Sequence, residues 1–208
     1  MSQEVLLLQK ILYSLEGKAI PRLGYNFTVC NSKKFVWFRV AKVATRSIFE
    51  VLKKNVEISK HTHWKIFDEK KYNDYFKFAF VRNPWDRLVS CYYDKVLKKK
   101  LFKKCWDKDF SYFVNYVKKQ NLEKADRHLR LQSSLFPSDE IDFIGRFENL
   151  EEDFHYICEK IGLSNIKLPH ENITRHKHYT KYYNNETRAI VAEIYAKDIK
   201  NFGYKFDS

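Results

Sequence analysis

The sequence predicts an α/β fold with a central parallel sheet flanked by helices. Two observations carry that expectation. An apolar run, a basic turn and an amphipathic helix follow one another from Phe35 to Leu52, and the same succession returns from Phe76 to Leu97. Parallel strands joined through helices bring their turns to one end of the sheet, so two cationic turns would open on one crevice.

Residues 1–18 place Val5, Leu6, Leu8, Ile11, Leu12 and Leu15 mostly on one face, with Glu4, Gln9 and Lys10 inside the apolar run. They read as a surface-packed helix, not as a signal peptide or a membrane span. Pro21 to Cys30 reads as a loop with a short edge strand. Phe35, Val36, Trp37, Phe38 and Val40 make a β-branched and aromatic run too short for a helix, hence a core strand. Lys42 follows, then Val43 and Ala44, and from Ser47 the apolar residues Ile48, Val51 and Leu52 fall at helical spacing. The amides of Thr45, Arg46 and Ser47 would be unpaired donors of that helix's first turn, a place for an anion. A nucleotide kinase would precede the lysine with glycines, and Gly24 is too far upstream.

His61 and His63 flank Thr62 in an extended segment, whose alternation sends both rings to one face. A zinc site would need a third ligand at metal-like spacing, which the segment lacks. A neutral imidazole suits removal of a hydroxyl proton near neutral pH. Phe76 to Val81 is the second core strand and runs into Arg82, with Pro84 suited to the first turn of the next helix. That helix carries Leu88, Val89, Tyr92, Tyr93, Val96 and Leu97, with Ser90 about two turns in. Asp109 to Lys119 reads as a helix, and Ala125 to Phe136 as a short segment concentrating Arg127, His128, Arg130 and Gln132. Ile141 to Phe147 reads as a strand, and Asn149 with Glu152 as a capping box for a helix ending at Gly162. Pro169 to Tyr183 reads as a loop dense in His, Arg, Lys and Tyr. The last helix, Glu186 to Asn201, presents Ile190, Val191, Ile194, Tyr195, Ile199 and Phe202 to the sheet and stops at Gly203.

The 208 residues suit a single domain spanning 1–208, and 39 Lys and Arg against 26 Asp and Glu give a net charge of +13. Anionic partners follow: nucleotides, acidic glycans, nucleic acid or acidic lipid. Cys30, Cys91, Cys105 and Cys158 form no C-x-x-C pair and read as reduced thiols, which fits a cytoplasmic protein.

Lys42 to Ile48, KVATRSI, resembles the 5′-phosphosulfate loop of sulfotransferases, and FVRNPWDRLVSCYYDK resembles their 3′-phosphate motif, an arginine followed eight positions later by serine. His61 and His63 resemble the histidine pair of glycan 2-O-sulfotransferases. The segments RHLRLQSSLF, DFIGRFENLEEDF and IVAEIYAKDIKNFGYKF are similar to membrane-bound carbohydrate sulfotransferases and their bacterial relatives. The chain departs from them at Arg46, where many relatives have threonine or serine.

The resemblance implies a three-layer, P-loop-NTPase-like fold and a cytoplasmic, bacterial enzyme that takes 3′-phosphoadenosine 5′-phosphosulfate as co-substrate, with no metal. Lys42 and the Val43 to Ser47 loop would hold the phosphosulfate, Arg82 and Ser90 the 3′-phosphate, and Arg175, Lys177 and Lys181 would add phosphate contacts. His63, with His61 second, would be the base, and Arg127, His128, Arg130 and Gln132 would meet an anionic glycan acceptor. Nucleic acid and stable membrane insertion are not expected. Two rival readings are an atypical kinase and a non-catalytic protein that binds polyanions or nucleic acid.

Overall fold

The computed structural model describes residues 24–163, 166, 168 and 177–207. The helix expected over residues 1–18 and the side chain of Arg175 lie outside them. Strands β1 (Tyr25–Cys30), β2 (Phe35–Phe38), β3 (Lys60–Lys65), β4 (Phe76–Val81) and β5 (Phe143–Arg146) form one sheet in the order β3-β1-β2-β4-β5. The β2-β4-β5 half is parallel, with Phe35 opposite Phe76 and Phe78 opposite Phe143.

The other half corrects the expectation of a parallel sheet, because β1 runs antiparallel to both β2 and β3. The cause is local: Asn31 to Lys34 close a tight turn, with Lys34 N–H on Asn31 C=O at 3.3 Å and Lys34 at φ 46°, leaving no room for a crossover helix. Residues 25–30 are thus an interior strand instead of an edge.

Helices α1 (Thr45–Asn55), α2 (Pro84–Cys91), α3 (Phe110–Lys118), α4 (Leu150–Lys160), α5 (Asn185–Ile194) and α6 (Ala196–Phe202) flank the sheet. Ile48 and Leu52 of α1, Phe154 and Ile157 of α4 and Phe202 of α6 join the buried sheet residues Phe27, Trp37, Phe78 and Phe80 in one core. Leu88 and Val89 of α2, Phe113 and Val117 of α3, and Ile190 and Val191 of α5 make a second core beside it.

Two further expectations are corrected. The last helix breaks at Tyr195, whose buried hydroxyl donates to Leu129 C=O at 2.6 Å, so α5 packs in the second core and α6 reaches the sheet through Phe202. Asn149 makes no side-chain cap for α4; the Asp153 carboxylate instead accepts the N–H of Arg146 and ties that helix to β5. Gly162 at φ 66° and Gly203 at φ 65° end their helices as expected, and the four cysteines are buried free thiols. Among the described residues no helix is long and apolar enough to cross a membrane.

Candidate active site

The turn after β2 is built from residues that glycine would ordinarily replace. Lys42 and Ala44 both adopt left-handed backbone, at φ 76° and 58°. Side chains from elsewhere hold them there. Thr45 Oγ1 donates to Val40 C=O, Arg82 Nη1 to Lys42 C=O at 3.1 Å, and Arg87 Nε to Ala41 C=O at 3.0 Å. The helical ladder of α1 begins with Ile48 N–H on Ala44 C=O at 3.1 Å, and its first turn holds no acidic residue. The first-turn amides of Thr45, Arg46 and Ser47 therefore sit at the positive end of a helix without a built-in counter-charge.

Because β2 and β4 are parallel neighbours, the second turn lies directly beside the first. Arg82 is 6% exposed; its Nε donates to Asp86 at 2.8 Å and its guanidinium stacks on Phe147 at 3.8 Å from the ring centre. Gln132 pairs with the Arg82 backbone in both directions, accepting from its N–H at 2.9 Å and donating to its C=O at 2.8 Å. Arg87 is 1% exposed and reaches the carbonyls of Arg130 and Arg127 at 2.9 and 3.1 Å. That fixes the 125–131 segment to the same turn.

A cavity of about 580 Å³ opens over these junctions, lined by Lys42, Thr45, Arg46, Ser47, Arg82 and Ser90, by His61 and His63 from β3, and by Arg127 and His128. Beyond α2 the chain widens into a π-helical run, Tyr92–Lys98, and this turns Asp94 and Lys95 inward. Lys42 Nζ meets Asp94 Oδ2 at 3.0 Å, and Lys95 and Lys99 approach the same carboxylate at 3.3 and 3.6 Å. Burial lowers the Lys42 pKa and Asp94 opposes that shift. Burial likewise disfavours the charge on Asp94, but the Lys42 and Lys95 ammoniums hold it well below the usual carboxylate range.

The two β3 histidines share a face as expected, with ring centres 5.5 Å apart, yet they are not equivalent. Arg39 Nη1 lies 2.7 Å from His61 Nε2, and a guanidinium can only donate, so that nitrogen is an acceptor. His61 then carries its proton on Nδ1, facing Thr28 Oγ1 at 2.8 Å. Burial and the Arg39 charge push its pKa down to about 4. His63 lines the cavity and is likewise lowered by burial, then by Arg39 and Arg127.

Several expected contacts fall elsewhere. Gln132 is fully buried as a brace for Arg82, and the Arg130 guanidinium turns back onto Ala125 C=O, so neither lines the cavity. Lys177 and Lys181 are exposed and outside it. Tyr179 and Tyr183 of the same segment are built into the second core: Tyr183 donates to Trp85 C=O at 2.9 Å and Tyr179 to Phe206 C=O. Sequence reasoning passed over Arg39, Arg87 and Asp94. Arg39 and Arg87 left a signal as charges set in apolar strand and helix patterns, whereas Asp94 finds its partner 52 positions away.

Fold and cavity together define an α/β protein with a cation-lined cavity where two parallel strands end. The chain belongs to the sulfotransferase family, whose sequence profile matches residues 25–205. An uncharacterised protein of Archaeoglobus fulgidus is 37% identical over 102 residues, 46% of this chain and 74% of that protein. Carbohydrate sulfotransferase 14 of Danio rerio is 29% identical over 164 residues, 62% of this chain and 44% of the relative. Carbohydrate sulfotransferase 9 of Homo sapiens is 28% identical over 236 residues, 94% of this chain and 51% of the relative. The chain thus spans about half the length of the carbohydrate sulfotransferases it matches. No solved structure matches it.

Proposed function

We propose that the protein transfers a sulfuryl group from 3′-phosphoadenosine 5′-phosphosulfate to a hydroxyl of a carbohydrate. The observation that carries this reading is the direct bond from Arg82 to the carbonyl of Lys42, which fuses the two anion-binding turns into one cavity wall. Lys42 and the stretch from Ala44 to Ser47 face the phosphosulfate, whereas Val43, expected with them, is fully buried in the core, and Arg82 with Ser90 takes the 3′-phosphate. As the sulfur–oxygen bond of the donor breaks, negative charge builds on the departing phosphate oxygen, and preorganised donors stabilise it without reorganisation. Arg82 and Ser90 supply register more than chemistry.

The acceptor hydroxyl gives its proton to a neutral histidine as its oxygen bonds to sulfur. Of the β3 pair, His63 is the one with a ring nitrogen to offer the acceptor, since the acceptor lone pair of His61 is taken by Arg39. The cations Lys95, Lys98, Lys99 and Arg127 on the same walls favour an acceptor that itself carries negative charge.

The test is a thermal-shift comparison of adenosine 3′,5′-bisphosphate with ATP, followed by transfer of labelled sulfate to a glycan panel. Stabilisation by the bisphosphate and labelled glycan support the reading. Stabilisation by ATP alone, or none by either with no transfer, overturns it.

A further inference from the structure

The cavity contains a third imidazole, outside the β3 pair. His128 lies in the segment pinned by Arg87, with a side chain 12% exposed, and it lines the cavity. Its Nδ1 sits 2.6 Å from Asp126 Oδ1, and the same oxygen accepts the His128 backbone N–H at 2.9 Å. An ionised carboxylate only accepts, so Nδ1 carries the proton and Nε2 keeps its lone pair. Arg127, between the two, lines the same cavity as His61 and His63 of β3.

We propose that Asp126 and His128 form the acid–base dyad of this cavity, with His128 Nε2 taking the proton of the acceptor hydroxyl, Asp126 acting as its positioning residue, and His63 contacting the acceptor. This rests on the sulfuryl-transfer reading. In the step, the acceptor oxygen bonds to sulfur and its proton passes to His128 Nε2. The sulfur–oxygen bond to the phosphate breaks, and the electron pair leaves with the adenosine bisphosphate facing Lys42. A carboxylate behind the imidazole fixes the tautomer and stabilises the imidazolium that forms. Among the described residues the charges that act on His63 are those of Arg39 and Arg127, both cationic. The charged groups acting on His128 are Asp126, which favours its protonated form, and Lys95 and Arg127, which oppose it.

The experiment compares His128→Ala, Asp126→Asn, Asp126→Glu and His63→Ala with the parent, measuring adenosine 3′,5′-bisphosphate binding, kcat, acceptor KM and the pH dependence of kcat/KM. Expected are unchanged bisphosphate affinity in all four, a fall in kcat of roughly a hundredfold to ten-thousandfold in His128→Ala, and a roughly tenfold fall in Asp126→Asn, since that carboxylate is half exposed. The acid limb of the Asp126→Asn profile moves to lower pH, and Asp126→Glu recovers part of the rate. His63→Ala raises acceptor KM more than it lowers kcat. The dyad is overturned if His128→Ala turns over like the parent, if the acid limb of Asp126→Asn does not move, or if His63→Ala alone abolishes kcat. A parent that binds the bisphosphate and transfers sulfate keeps the broader reading intact whichever way the variants fall.

Discussion

At the scale of single residues the cavity is a set of cations whose charges are kept in use by specific partners. Lys42 is the clearest case: burial lowers its pKa, and the ion pair with Asp94 opposes that shift. Lys42→Ala is expected to lower kcat by about a hundredfold to a thousandfold, the effect of deleting one preorganised donor, while bisphosphate affinity changes little. Steady-state kinetics beside equilibrium titration separates the two. His61 makes a different prediction. It is neutral in the fold, with a pKa near 4 against 6.5 for the free side chain, so between those values the unfolded chain binds more protons than the native one. The contribution of His61 to native stability is therefore fully present above about pH 6.5 and is lost as pH falls toward 4. Urea titrations across that interval check the direction, and His61→Gln is expected to flatten the dependence.

At the scale of elements, the sheet positions the site, and two of its adjacent strands leave no room for a side chain at Gly145. A Cβ on Gly145 of β5 would come 2.4 Å from the buried ring of Phe80 on β4. Gly145→Ala is expected to destabilise the protein by about 1–3 kcal/mol, because the ring lies in a packed core with nowhere to retreat. Thermal or denaturant unfolding measures it. Much of this level was legible in the sequence. The aromatic run at Phe35, the repeat at Phe76, Pro84 at the start of α2 and the stops at Gly162 and Gly203 all depend on neighbours in the chain, and all stand where expected. Strand direction was not legible, since an apolar run reads alike both ways and the reversal at Asn31 to Lys34 contains no glycine or proline to announce it. The roles of Gln132, Asp94 and Arg39 were hidden for a related reason: each is set by a partner far along the chain.

At the scale of the whole molecule, a net charge of +13 opposes compaction, and the cavity concentrates part of that charge. Added salt is expected to raise the melting temperature of the ligand-free protein by screening that repulsion, while reducing the additional shift produced by adenosine 3′,5′-bisphosphate. Differential scanning calorimetry over a salt series reads both trends, and a bisphosphate shift indifferent to salt would contradict a charge-driven pocket. The left-handed backbone at Lys42 and Ala44 has one more consequence. Where a glycine-rich loop could take this shape by itself, here the shape is borrowed from arginines contributed by a later part of the polypeptide. A nascent chain emerging only as far as Val81 would carry every residue of the loop with neither clamp, so the loop cannot settle into its final shape until the turn after β4 and the start of α2 have followed it.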